Sequence, residues 1–305
     1  MKYKLNKELS KLSKVKAPLN LHAYPFVNAY LKLFTCKSDD KVNVKKVFIP
    51  VEDGSSLKTF VIEPKGCEGP LPCIIFYHGG GFLLRASKSH YQIAKWYAEK
   101  TPCKVIFADY RLMPEYRYPV AVNDCYSTYI WAVHNSKELG IDRERIIVAG
   151  DSAGANLSVA VSMMLKDKEQ DMPAGTMLIY PVLDRRMITE SMGKYKDTPA
   201  WDAVRNEMFW REYLKECGTE SVKYASPMEA ESLKGFPRTY IEVAEFDCLH
   251  DEGRDFAERL KSEDIVTDFY ETNGACHGYD DAFNSLLVRS AVDRRVKWFQ
   301  SVFGI

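Results

Sequence analysis

The apolar run Ile146–Ala149 leads directly into Gly150-Asp151-Ser152-Ala153-Gly154, and from there into a helical stretch, Asn156 to Met164. A strand, a sharp turn and a helix in this order constrain the chain more than any other feature. Small residues beside Ser152 let the backbone take the strained conformation that lifts Oγ out of a sheet. The helix N-terminus behind the serine favours negative charge developing there. A bare G-x-S-x-G recurs by chance, so the rest of the chain has to supply the context. Ser158 and Ser162, further along the helix, read as interior hydroxyls bonded to the preceding turn.

From Val44 onward, short β-rich runs alternate with longer helical patterns, which predicts an α/β protein with a mostly parallel central sheet of eight strands flanked by helices. The candidate strands are Lys46–Pro50, Leu57–Pro64, Cys73–Tyr77, Val105–Ala108, Ile146–Ala149, Met177–Tyr180, Thr239–Val243 and Val266–Glu271. Cys73–Tyr77 and Ile146–Ala149 are apolar throughout and belong at the sheet centre. Helices are expected after Lys88, from about Pro119 to Glu138, after Ser152 and from about Asp251 to Ser262. In a terminal helix Val288, Val292, Val296, Phe299 and Phe303 form one apolar stripe.

Two stretches break the alternation: residues 1–43, and 185–224, which carries Met187, Met192, Tyr195, Trp201, Met208, Phe209, Trp210 and Tyr213. The plain expectation is peripheral helices that bury aromatic side chains. The functional one is a helical cap over the carboxyl ends of the strands, with 44–184 and 225–305 as the two parts of the core.

With 42 Lys and Arg against 42 Asp and Glu in 305 residues, no global field draws in nucleic acid. The eight cysteines form no C-x-x-C pair and read as reduced core thiols. The basic stretch from Met1 to Lys16 holds no continuous apolar segment, and no run reaches the length of a membrane span. A cytoplasmic protein without stable membrane insertion is expected. The lysines at positions 2, 4, 7, 11, 14 and 16 read as a solvated helix face, with attachment to a membrane surface as the alternative. Oligomeric state is left open, a homodimer included.

Three consecutive glycines follow the strand Cys73–Tyr77, in His78-Gly79-Gly80-Gly81-Phe82. A flexible turn is the plain alternative. Otherwise the missing side chains let backbone N–H groups, with that of Ala153, surround a carbonyl oxygen as it becomes an oxyanion. No phosphate-binding pattern can be read here. A serine nucleophile needs an imidazole to take its proton and a carboxylate to orient that imidazole. His78 is assigned a structural role, holding its loop. His22, His90, His134 and His250 fall in the N-terminal segment or in helical patterns, which leaves His277, in the loop Asn273–Gly278 after a predicted strand. Asp247 lies past the strand Thr239–Val243, whereas Asp251 and Glu252 suit the first turn of a helix. Asp184 is a rival carboxylate, equally suited to shaping a pocket.

In series, His78-Gly-Gly-Gly-Phe82, Asp109-Tyr-Arg-Leu-Met-Pro-Glu115, Gly150-Asp-Ser-Ala-Gly154, Glu245-Phe-Asp-Cys-Leu-His-Asp-Glu-Gly253 and His277-Gly-Tyr279 resemble the hormone-sensitive-lipase-like branch of the carboxylesterases, which has the α/β-hydrolase fold. The resemblance covers roughly residues 44–305, and the N-terminal segment resembles that family's helical cap. It implies Ser152 as nucleophile, His277 as general base and acid, Asp247 as its orienting carboxylate, and the amides of Gly80, Gly81 and Ala153 as an oxyanion hole. It also implies a pairing of Arg111 with Glu115. Family members carry glycine, proline and phenylalanine where Ala155, Cys248 and Tyr279 stand, and none of these departures removes a reacting atom. Cys248 and Cys276, beside the acid and the base, raise the expectation of sensitivity to oxidation.

The reaction so implied is hydrolysis of a small-molecule carboxylic ester, with no metal and no organic cofactor. The aromatic cap composition suggests a short or medium acyl chain. An amidase, an arylformamidase or a sugar O-deacetylase would use the same atoms. A ligand-binding protein that has lost catalysis is the rival from another class, and the full set of Ser152, Asp247 and His277 argues against it.

Overall fold

The computed structural model describes residues 2–217 and 222–305; Met1 and residues 218–221 of the expected cap stretch lie outside the described residues. Eight strands, β1 Val42–Pro50, β2 Ser56–Pro64, β3 Leu71–Tyr77, β4 Lys104–Ala108, β5 Ile141–Asp151, β6 Gly175–Ile179, β7 Thr239–Phe246 and β8 Thr267–Cys276, form one sheet in the order β1-β2-β4-β3-β5-β6-β7-β8. Strand β2 is antiparallel to both of its neighbours, and every pairing from β4 to β8 is parallel. The helices are α1 Tyr24–Leu31, α2 Lys88–Lys100, α3 Val120–His134, α4 Ser136–Leu139, α5 Ala153–Asp167, α6 Glu190–Lys194, α7 Ala203–Tyr213, α8 His250–Ser262 and α9 Leu286–Phe303.

The two apolar strands lie at the centre, as their composition requires, and the period-two alternation divides their side chains between two layers. Ile75, Tyr77, Ile106 and Val148 pack with Val122, Tyr129 and Leu157 of α3 and α5. Ile74, Phe76, Val105 and Ile147 pack with Tyr97 of α2 and with Val292, Val296 and Phe299 of α9, so the stripe read in the sequence does face the sheet. Each large apolar side chain fully buried in this way contributes roughly 1.5–3 kcal/mol.

Several elements differ from the sequence reading, with β1 starting already at Val42 and β5 at Ile141. The helix expected from Pro119 to Glu138 is divided at Asn135, whose Nδ2 donates to the Trp131 carbonyl at 2.8 Å, ending α3 by supplying a donor from a side chain. Strand β8 runs on to Cys276, because past an irregularity at Ala244/Phe246 the ladder resumes with Phe246 opposite Cys276. Thus His277 follows the strand directly instead of lying within a loop that starts at Asn273.

The N-terminal segment and the aromatic stretch meet each other. Ala17 N–H donates to the Ala200 carbonyl at 3.0 Å, and Ala200 N–H to the Val15 carbonyl at 2.7 Å. Phe82, next to the glycine run, stacks on Tyr213 with ring centroids 4.1 Å apart. Met192, Tyr195, Trp201, Phe209, Trp210 and Tyr213 are all buried in the same layer as α3 and α5.

Candidate active site

Ser152 stands between β5 and α5 with φ 52°, a left-handed conformation that a non-glycine residue adopts only where its surroundings impose it. Its N–H donates to the Ile179 carbonyl of β6 at 2.8 Å. Two residues on, Gly154 lies so close to the Tyr77 carbonyl of β3 that any Cβ would overlap backbone atoms. Both glycines of the pentapeptide therefore serve close packing, and the turn is held from two sides.

Strands β5 to β8 are consecutive and parallel, so their carboxyl ends share one edge. Asp247 follows β7, His277 follows β8, and both side chains are buried beside the serine. Ser152 Oγ lies 2.8 Å from His277 Nε2, and His277 Nδ1 lies 2.7 Å from Asp247 Oδ2. The other carboxylate oxygen, Oδ1, accepts the Leu249 N–H at 3.0 Å, which fixes the acid. A carboxylate at Nδ1 keeps the ring proton there and leaves Nε2 to accept from the serine hydroxyl.

The glycine run is tied to the serine turn by Asp151. Its Oδ1 accepts the Gly79 N–H at 2.9 Å, and its Oδ2 faces His90 Nε2 at 3.2 Å. Burial by itself pushes the Asp151 carboxyl up and the His90 imidazole down; their mutual attraction outweighs it, lowering the acid and raising the base. Gly80 and Gly81 take φ 118° and 61°, which glycine adopts without steric cost. A Cβ on Gly81 would come within 2.8 Å of the Trp201 indole. The structure thus gathers Gly80, Gly81, Ala153 and Ser152 at one place.

His78 is fully buried between Tyr110 and Phe107, with ring centroids 4.5 and 5.8 Å away, and its Nδ1 meets the Gly79 carbonyl at 2.7 Å. Burial, with the charge of His90 next, pushes its imidazole down to about 4. A neutral ring clamped to the glycine loop is a structural element, as its sequence position suggests.

Above the serine lies a cavity of about 400 Å³, bordered by Val15, Pro18, Leu31, Gly81, Trp201 and His277. Trp201 closes one side, 6.3 Å from the His277 ring, and Tyr180 stands edge-on to that ring at 4.9 Å while its hydroxyl donates to Asp280 Oδ2 at 3.2 Å. The sequence names Trp201 only as one of eight residues of the expected cap and Tyr180 only as a strand end, since a buried aromatic carries no mark of which surface it faces. His90 lies on α2, where its sequence position does not separate it from an ordinary helix-face histidine. The signal that could have found it is local, the Ser87/His90 spacing of a capping box that fixes the ring orientation.

Several expectations need correction. Arg111 does not pair with Glu115: its guanidinium binds Asp124 of α3 at 2.6 Å and Asp53 at 2.5 Å. Asp124 is completely buried and must be neutralised, whereas Glu115 is exposed and already solvated. Cys248 and Cys276 are buried, and burial pushes the Cys276 thiol up to about 12 and that of Cys248 well up, so neither presents the thiolate that oxidation requires. Asp184 is engaged by Arg186 at 2.8 Å. Asp251 and Glu252 do open α8, but dipole alone does not explain them. Asp251 accepts the Ser191 N–H at 2.7 Å, and Glu252, nearly fully buried, accepts the Leu183 N–H at 2.7 Å while burial pushes its carboxyl well up.

Fold and turn together define a class, an α/β hydrolase with a serine at the sharp turn between β5 and α5. The chain belongs to the alpha/beta hydrolase fold family, whose model matches residues 74–281. It is 34% identical over 221 residues to the carboxylic ester hydrolase LipN of Mycobacterium tuberculosis, a match spanning 70% of this chain and 59% of LipN. It is 31% identical over 207 residues to an arylesterase of Saccharolobus solfataricus, covering 68% of this chain and 67% of that one. Among solved structures, esterase LipW from Mycobacterium marinum superposes with a TM-score of 0.91 at 26% identity, over 98% of this chain and 96% of LipW.

Proposed function

We propose that the protein is a serine carboxylesterase. Ser152 Oγ attacks the ester carbonyl while His277 Nε2 takes its proton, and Asp247 steadies the imidazolium. The amides of Gly80, Gly81 and Ala153 receive the oxyanion. His277 then returns the proton to the departing alcohol, leaving an acyl-enzyme at Ser152. Water, deprotonated by the same nitrogen, attacks the acyl carbon; the acyl–Oγ bond then breaks as His277 returns that proton to Ser152, releasing the acid and the free enzyme. The observation that carries this reading is the unbroken chain from hydroxyl to imidazole to carboxylate, 2.8 and 2.7 Å per link, among three buried side chains of which Ser152 and His277 border the cavity.

Esters are favoured over amides because both curated relatives described above are named for ester hydrolysis. A cavity of about 400 Å³ closed by Trp201 supports short to medium acyl chains. The described thiols are free, which fits a reducing compartment such as the cytoplasm.

A panel of p-nitrophenyl esters of increasing acyl length, run on the native protein and on Ser152→Ala, tests both parts. Turnover is expected to peak among the shorter chains and to fall on the order of 10⁶-fold in the variant, as in the serine-protease template. Near-native activity of Ser152→Ala would overturn the nucleophile, and a peak at long, emulsified chains would overturn the chain-length reading.

A further inference from the structure

We propose that the outer face of α1 and the segment leading into it form a docking surface for an anionic lipid bilayer, which places the mouth of the cavity above Ser152 at the membrane. Docking itself is independent of the esterase reading; only the delivery of ester substrates from the lipid rests on it.

Helix α1 is anchored from within. The Tyr24 hydroxyl donates to the Pro18 carbonyl at 2.8 Å, and the Asn28 carboxamide both donates to the Leu83 carbonyl and accepts the Arg85 N–H, at 2.8 and 2.9 Å. Val27 and Leu31 face the cavity. The outer side is left with Phe26 78% exposed, Leu33 75% and Tyr30 60%, and the adjoining segment with Leu19 49% and Val15 48%. Single exposed apolar residues are ordinary on a protein surface. Here five lie between Val15 and Leu33, and Val15 and Tyr30 border the same cavity.

The charge beside them selects the partner. Residues 1–37 hold eight lysines against one glutamate, although the whole chain is balanced. Lys14 and Lys16 flank Val15, and Lys32 lies between Leu31 and Leu33; all three are exposed. The facing acids are few: Asp202 lies 3.5 Å from Lys16 Nζ, and Asp197 binds Lys2 at 2.8 Å. Apolar and aromatic side chains ringed by lysines match the acyl boundary and the anionic headgroups of a bilayer surface, and each lysine near such a surface strengthens the attraction. A second copy of the chain is a poorer cover, because a two-fold interface would oppose the lysines of one protomer to those of its partner. Among the described residues no helix is long and apolar enough to cross a membrane, so the contact is at the surface.

The full chain should sediment with phosphatidylcholine vesicles that contain phosphatidylserine, not with phosphatidylcholine alone, and should be released by salt. Phe26→Ser with Leu33→Ser should abolish sedimentation. Lys14→Glu with Lys32→Glu should weaken it at least about tenfold. Both pairs should leave hydrolysis of a water-soluble ester unchanged, while Ser152→Ala should abolish hydrolysis and leave vesicle binding intact. The docking proposal fails if nothing sediments at low salt, or if neutral vesicles bind equally and salt has no effect. It also fails if Phe26 and Leu33 instead drive self-association without lipid. If no ester is turned over yet binding follows this pattern, the esterase reading alone fails.

Discussion

At the scale of single residues, the buried side chains of His277, Asp247 and Asp151 each bind more than one partner. Asp247 accepts from both His277 and Leu249, so its removal loses orientation as well as charge. Asp247→Asn should keep the fold and lower kcat on the order of 10⁴-fold, by the logic of the serine triad; steady-state kinetics with an unchanged melting curve would establish it, and a loss below tenfold would contradict it. His78 makes a different prediction. Its folded value of about 4 lies below the ordinary 6.5, so between these pH values the unfolded chain holds a proton that the folded chain refuses. Its contribution, up to roughly 3 kcal/mol, is fully present above pH 6.5 and is lost as the pH falls toward 4. Urea melts across that window should show a stability slope in His78→Asn that is flatter by about one proton. Parallel curves for the two proteins would show that His78 does not titrate as its burial demands.

At the scale of elements, the serine turn depends on how closely α5 approaches β3. Gly154→Ala would press a methyl group against the Tyr77 carbonyl and should destabilise the protein by about 3 kcal/mol. Gly193→Ala, in α6, meets nothing within 4 Å and serves as the control, with an expected change no larger than the gain in helix propensity. Thermal melts of the pair give the comparison, and equal melting points would mean that the turn is not set by that contact.

At the scale of the whole molecule, the site is braced by a buried network around Arg295 of α9. Its guanidinium binds Glu242 of β7 and Asp280 beyond His277, each at 2.8 Å, and donates to the Tyr279 hydroxyl at 2.8 Å. The Tyr279 phenol is thus used in this network. Burial alone would push both carboxyls up; the Arg295 charge overcomes it at Glu242 but not at Asp280. Arg295→Met leaves Asp280 without its cation and Glu242 with Arg294 alone, 3.0 Å away, and should lower unfolding free energy by about 3–5 kcal/mol, measurable by denaturant melts. An unchanged midpoint would mean that the two acids are neutral in the native state.

The sequence by itself determined the fold class and the central strands, because continuous apolar runs between helical patterns are local signals, and it offered Ser152, Asp247 and His277 as candidates through a glycine-flanked turn, chain position and family resemblance. It could place strand cores but not strand ends, as at β8, where a partner strand extended the ladder beyond the run that marks it. Only the tertiary structure decided that Arg111 turns to Asp124 and not to Glu115, that Trp201 and Tyr180 wall the site, and that Phe26 and Leu33 stay outside. Each of these outcomes depends on which distant surfaces compete for a side chain. Burial and desolvation are properties of the packed molecule, and no spacing along the chain records them.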